Sequence, residues 1–223
     1  MKKLIRQIKS FIFLSMLILC FSCKKEKTIV SENSLPFFNS ALFTPEWIKV
    51  DDPKYQSIHT IPNFELINQE GEKIFNKDYD GKIYVADFFF VTCPGICPIL
   101  EKNMSRLQNE FKTDGEVLLL SHTVMPVKDS VSVLKEYASK NNIDSKKWNL
   151  VTGDKKQIYS LARNGYFADE DFVKTKDEEA FIHTENFVLV DKKRRIRGVY
   201  NGTLAIDIER LIRHIKMLKL EGS

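Results

Sequence analysis

The chain has 223 residues, 43% of them apolar, with 34 Lys and Arg against 30 Asp and Glu for a formal net charge of +4. That length suits one sizeable core with a leader and excludes two full domains. Lys2, Lys3, Arg6 and Lys9 carry the excess positive charge at the very start, so the remainder is close to neutral and offers no electrostatic footprint for nucleic acid.

Those basic residues lead into an apolar run, Phe11 to Phe21, about half as long as the roughly 20 residues a spanning helix needs. Residues 1–22 are therefore read as an export signal and left out of the fold. The run ends in Ser22-Cys23 followed by Lys24 and Lys25. A small residue before a cysteine at the end of such a signal resembles a bacterial lipoprotein cleavage site, although Cys20 stands where that pattern usually has Leu. The resemblance implies that Cys23 becomes the lipid-bearing first residue, with the domain held at the cell membrane and facing the periplasm or extracytoplasmic space. Cys20 would leave with the leader and Cys23 would be acylated, which leaves the mature domain with Cys93 and Cys97 alone. Residues 23–56, rich in Lys, Glu, Ser and Asn and without a sustained period, read as a membrane-proximal tether. Within it, Phe43 to Trp47 is an apolar island expected to pack on the domain's edge, with an exposed partner contact as the other option.

The domain proper is expected over residues 57–223. Asn63 to Ile67 and Lys73 to Phe75 flank Asn68-Gln69-Glu70-Gly71 as a small hairpin. Ile83 to Val91 is a run of apolar and aromatic residues interrupted only by Asp87, as in a central strand buried on both faces. Pro98 opens a helix with Leu100, Met104, Leu107 and Phe111 on one face. Glu116 to Ser121 and Trp148 to Thr152 are further strands. Helices are expected over Ser130 to Lys140 and through Ile158, Leu161 and Ala162. Glu185 to Val190 and Ile196 to Tyr200 form a closing hairpin, and Ile208, Leu211, Ile215 and Leu218 mark a last amphipathic helix. Strands alternating with helices predict an α/β domain with a central mixed sheet flanked by helices. The site is expected where the central strand runs into a helix.

That junction reads Thr92-Cys93-Pro94-Gly95-Ile96-Cys97-Pro98. Amides at the helix start stabilise a thiolate, and thiolates are the form that binds metal. Two sulfurs sharing one ion sit roughly 3.5 to 4 Å apart, whereas a disulfide needs about 2.05 Å, and a loop of three residues between the cysteines accommodates both states. A passive disulfide is the plainer reading, but so short a loop constrains the unfolded chain little. Two thiolates suit a soft ion such as Cu(I), and one imidazole would complete a three-coordinate site. Of the four histidines, His59 and His214 read as surface residues, His122 follows a strand that ends on the same side, and His183 precedes the closing hairpin. Asp87 is costly to bury inside an aromatic strand, so it either has a functional reason to be there or is a carboxylate reached by water or a Lys.

The segments Val85 to Pro98, Ser121 to Ser130, Leu150 to Asp154, and His183 before a hairpin resemble the Sco/SenC family in order and spacing. The resemblance covers about residues 60 to 218, and its most specific part is the cysteine motif with its flanking prolines. It implies a thioredoxin-like fold and copper held by Cys93, Cys97 and His183, as Cu(I) with Cu(II) as a further state. It also implies a role in assembling the dinuclear copper centre of cytochrome c oxidase. The expected partner is the copper-bearing subunit of that oxidase or another copper or thiol protein, reached as a metallochaperone rather than as an enzyme. The alternatives are a thiol-disulfide oxidoreductase, with Cys93 and Cys97 as catalytic residues and Asp87 as proton acceptor, and a copper or redox sensor. The family usually has Asp-Pro where this chain has Met125-Pro126, and Met125 is read as a core residue rather than an auxiliary ligand. Lys192 to Arg195 and Arg197 read as a solvated turn, with an acidic partner as the other option.

Overall fold

The computed structural model describes residues 34–175, 181–182 and 184–221. The leader with Cys20 and Cys23, and His183, lie outside the described residues. Five strands of the sheet come before its closing hairpin: β3 (Glu65–Asn68), β4 (Lys73–Phe75), β5 (Ile83–Phe89), β6 (Val117–Thr123) and β7 (Trp148–Thr152). The hairpin supplies β8 (Asn186–Val190) and β9 (Ile196–Asn201). The order across the sheet is β4-β3-β7-β6-β5-β8-β9, with β5, β6 and β7 parallel and the flanking pairs antiparallel, which is the mixed sheet expected.

Because side chains alternate along a strand, β5 divides its residues between two cores. Ile83, Val85 and Phe89 join α1 (Cys97–Glu110), α2 (Val131–Lys140) and α5 (Ala205–Glu221) in one. Tyr84, Ala86 and Phe88 join the opposite core with residues of α3 (Lys155–Ser160) and the single π-helical turn Leu161–Gly165 that follows it. All seven residues of β5 are buried, as a doubly covered strand requires. By the same alternation Asp87 faces the first core, the one that holds Cys97.

Gly202, just past β9, lets the hairpin lie against α1. A Cβ there would come within 2.6 Å of Phe187 and 2.8 Å of Leu100, and Asn103 of α1 donates to the Gly202 carbonyl at 2.6 Å.

Three expectations differ from the structure. The folded unit takes in part of the stretch read as tether: β1 (Phe37–Phe38) pairs with β2 (Pro45–Glu46), and Leu35 and Phe37 are buried. The basic run is not a solvated turn at its core. Arg197 is only 4% exposed; it donates to the carbonyls of Leu35 and Pro36, pairs with Asp191 and Glu221, and stacks over Phe37. Arg195 pairs with Asp191 and stacks over Phe37 and Tyr55. Planar, weakly hydrated guanidinium groups suit such enclosed, aromatic-faced positions. A short helix, α4 (Glu170–Thr175), lies in the segment for which the sequence pattern gave no element.

Among the described residues no helix is long and apolar enough to cross a membrane.

Candidate metal centre

β5 ends at Phe89 and α1 begins at Cys97, so the loop carrying Cys93 leads into the helix mouth. Cys97 and Pro98 occupy the first helical positions, where proline's missing N–H leaves no bond unmade. The strand exit is clamped by buried Asp129, whose carboxylate accepts from the Val91 amide at 3.2 Å and from the Thr123 hydroxyl. Sequence reasoning missed this residue, because its partners lie on two other segments and no local pattern marks it.

Both cysteines are free, Cys93 half-buried and Cys97 buried, and their thiols hydrogen-bond to each other. Burial opposes ionisation of Cys93. Hydrogen bonds from the Cys97 thiol and the backbone amides of Cys97, Gly95 and Ile96 outweigh it and bring its pKa below the usual thiol value. Cys97 behaves oppositely: burial, reinforced by its hydrogen bond with Cys93, pushes its pKa up to about 12. The pair therefore consists of one outward thiol disposed to ionise and one inward thiol that holds its proton. At pH 7.5 iodoacetamide is expected to modify Cys93 well before Cys97, since the thiolate is the nucleophile. Peptide mass spectrometry of briefly alkylated protein checks this; equal labelling would contradict the asymmetry.

Below Cys97 lies a cavity of about 10 Å³, room for roughly one water molecule, lined by Asp87, Glu101, Ser121, Tyr137 and Trp148 among others. Trp148 donates its indole N–H to Ser121 Oγ at 2.7 Å, and the Ser121 side chain hydrogen-bonds to the Asp87 carboxylate. The other carboxylate oxygen, Oδ1, has no partner. Burial accordingly raises the Asp87 pKa from 3.8 to about 7, with the Ser121 hydrogen bond opposing the shift. Among the described residues no Lys pairs with it; the carboxyl group lines the space beside Cys97.

The histidines separate. His122 does not follow β6 but lies inside it, fully buried in the second core, stacked on Phe88 at 4.9 Å and turned away from the cysteines. Its Nε2 has no partner, and burial lowers its pKa to about 4. His59 and His214 are half-buried rather than free at the surface. His59 Nε2 sits 2.7 Å from the Gly165 carbonyl, and His214 Nδ1 sits 2.7 Å from the Tyr200 hydroxyl. His183 lies outside the described residues, but its neighbours are within them. Phe181 packs edge-on against Phe90 at 5.4 Å, three positions before Cys93, and Ile182 and Thr184 are buried. Met125 packs against the second core, as read from the sequence. Among the described residues no group of three His, Cys, Asp or Glu side chains is gathered as a metal site.

The donor chemistry of the cysteine pair fits a soft ion, with two unbridged sulfurs in mutual contact at a helix N-terminus. Comparison with known proteins agrees with this architecture. The crystal structure of a SCO1/SenC family lipoprotein from Bacillus anthracis shares 31% identity and superposes with a TM-score of 0.63, over 72% of this chain and 95% of that one. BsSco, described as a member of the Sco family of cytochrome c oxidase assembly proteins with a disulfide switch, shares 26% identity at a TM-score of 0.61, over 72% and 94%. Arabidopsis thaliana ScoI, solved with copper bound, has the same fold at 22% identity and a TM-score of 0.55, over 72% and 99%. The SCO1/SenC sequence profile matches residues 52–219, a span that holds the sheet, both free cysteines and the helices behind them, and the chain belongs to that family.

Proposed function

We propose that this chain is an extracytoplasmic copper carrier. In this reading reduced Cys93 and Cys97, with His183, take up copper and pass it to the copper-bearing subunit of cytochrome c oxidase. The observation that carries the proposal is the free dithiol at the mouth of α1, with one sulfur accessible and the other beneath it. Copper bound in ScoI and the assembly role stated for BsSco support the choice of cargo and recipient. The lipoprotein description of the Bacillus anthracis relative supports an anchor at Cys23.

Copper arrives here as cargo. Cys93 gives up its proton readily and offers the first sulfur, and Cys97 follows once its proton has left. Delivery reverses this order by ligand exchange, each incoming thiolate of the recipient replacing one outgoing sulfur. The accessible Cys93 is the one an approaching protein reaches first.

Titration of the reduced, leader-free protein with Cu(I) against a chromophoric competitor tests the assignment. Cys93→Ala and Cys97→Ala are each expected to weaken binding by at least about 100-fold, the upper range for losing even an outer-shell partner, and His183→Ala by roughly 10-fold or more. If His183→Ala bound as tightly as the parent while disulfide reductase activity was high, the carrier reading would give way to the enzyme.

One observation favours that second reading: the unpartnered Asp87 oxygen faces the cavity beside Cys97. In an oxidoreductase, the Cys93 thiolate would attack a partner disulfide, form a mixed disulfide and release one partner thiolate. Cys97, giving its proton to Asp87, would attack the Cys93 sulfur and release the second thiolate. The partner ends reduced and this chain ends with a Cys93–Cys97 disulfide.

A further inference from the structure

We propose that the exposed apolar residues of the N-terminal hairpin and the turn after it, Leu42, Trp47 and Val50, rest in the headgroup region of the membrane that holds the chain. This rests on the reading of Cys23 as a lipid anchor and adds to it a second contact, made by the folded domain itself.

The hairpin is built rather than loose. Phe37 pairs with Glu46 and Phe38 with Pro45 across it, and Asn39 donates to Glu46 at 3.0 Å. Its inner side is held down: Leu35 and Phe37 are buried, and the guanidinium groups of Arg197 and Arg195 lie 4.3 and 4.7 Å over the Phe37 ring. Leu42 in the hairpin's turn, and Trp47 and Val50 just past β2, are 77%, 48% and 76% exposed. Large apolar side chains held outward on a fixed element have a use when something apolar lies opposite.

The chain that precedes the hairpin says what that is. The Trp47 indole donates to the Ser34 carbonyl at 3.2 Å, so the ring sits beside the first described residue. Ten residues, 24–33, separate Cys23 from Ser34. Even at full extension a stretch of that length reaches no more than about 40 Å. The surface around Ser34, with Trp47 on it, is therefore within that reach of the anchor. Tryptophan favours the headgroup level, where its ring is partly in hydrocarbon and its N–H is satisfied. The surrounding charges, Glu46, Lys49, Asp51, Asp52 and Lys54, are mixed, so the match is to a zwitterionic surface rather than to an anionic one. Three side chains bind lipid weakly alone. The anchor raises their effective concentration and makes the second contact sufficient.

The test uses the full-length lipidated protein and its Trp47→Phe variant in phosphatidylcholine vesicles, with and without bromine on the acyl chains. The parent spectrum minus that of the variant isolates Trp47, since Trp148 is buried and common to both. Trp47 is expected to lose about half its emission to brominated lipid and to be shielded from aqueous acrylamide. Replacing Leu42 and Val50 together by serine is expected to reverse both effects. Protein that floats with vesicles while Trp47 stays unquenched by brominated lipid overturns the proposal. Shielding from acrylamide without bromine quenching overturns it in favour of a second copy of this chain over the same face. Protein that does not float at all overturns the anchor reading, and this inference with it.

Discussion

Replacing Asp87 by asparagine is expected to stabilise the domain at pH 8 by about 4 kcal/mol and to leave it nearly unchanged at pH 4. Asp87 is 3% exposed, with one carboxylate oxygen unpartnered, so the fold accepts it protonated and resists its ionisation. Its folded pKa is raised by burial from 3.8 to about 7. Below the lower value both folded and unfolded chains hold the proton, and nothing is lost. Between the two the unfolded chain ionises while the folded chain does not, so stability falls by about 1.4 kcal/mol per pH unit. Above about pH 7 the full loss is in place. Asparagine keeps the shape and the Ser121 contact and removes the charge. Urea unfolding at pH 4 and pH 8 measures the difference; a variant no more stable than the parent at pH 8 would show that the carboxylate ionises inside the fold without penalty. A stabilised but slower protein is the usual mark of a group retained for chemistry, and copper-loading or disulfide-exchange rates on the same variant show which chemistry it serves.

His122→Leu is expected to have the opposite pH signature. His122 is fully buried and its pKa is lowered by that burial from 6.5 to about 4. Above the higher value the ring is neutral in both states and costs nothing. As pH falls toward 4 the unfolded chain takes up a proton that the folded chain refuses, so the parent loses about 3 kcal/mol through this residue over that window. Leucine abolishes the loss. The two groups therefore tilt stability in opposite directions over nearly the same pH range, and they are neighbours, since His122 Nδ1 lies 3.3 Å from the Asp87 carbonyl. Together the two contribute a nearly flat line from about pH 4.5 to 6.5, as their slopes of about 1.4 kcal/mol per pH unit offset, so each variant is read as its difference from the parent. Relative to the parent, Asp87→Asn adds a slope rising with pH, and His122→Leu a slope falling with it. Parallel curves for all three proteins would contradict both assignments.

The parts of this molecule legible in its sequence are those decided by local pattern. The run of β5, apolar but for Asp87, the 3.6-residue stripe Leu100, Met104 and Leu107, and the Cys93-to-Pro98 motif between them mark strand, helix and thiol pair without reference to distant residues. Strand alternation puts Asp87 on the same face of β5 as Ile83, Val85 and Phe89, and its place beside Cys97 comes from α1 packing on that face. What was not legible depends on partners far along the chain. Arg197 looks solvated in a run of basic residues, and is enclosed because Leu35 and Pro36, about 160 positions away, bring it their carbonyls. Ser121-His122-Thr123 looks like the end of a strand, and remains within β6 because Trp148, Phe88 and Asp129 supply partners from other elements. The N-terminal hairpin has strands of two residues each, too short for any period, and draws its order from the arginine cluster beneath it.

X-ray absorption at the copper edge of the reduced, Cu(I)-loaded protein tests the three-donor site most directly. The account requires two sulfur scatterers at about 2.3 Å and one nitrogen at about 2.0 Å, distances taken from ions of similar size, with the nitrogen lost in His183→Ala and one sulfur lost in each cysteine variant. A parent spectrum with sulfur alone, unchanged by His183→Ala, would contradict it.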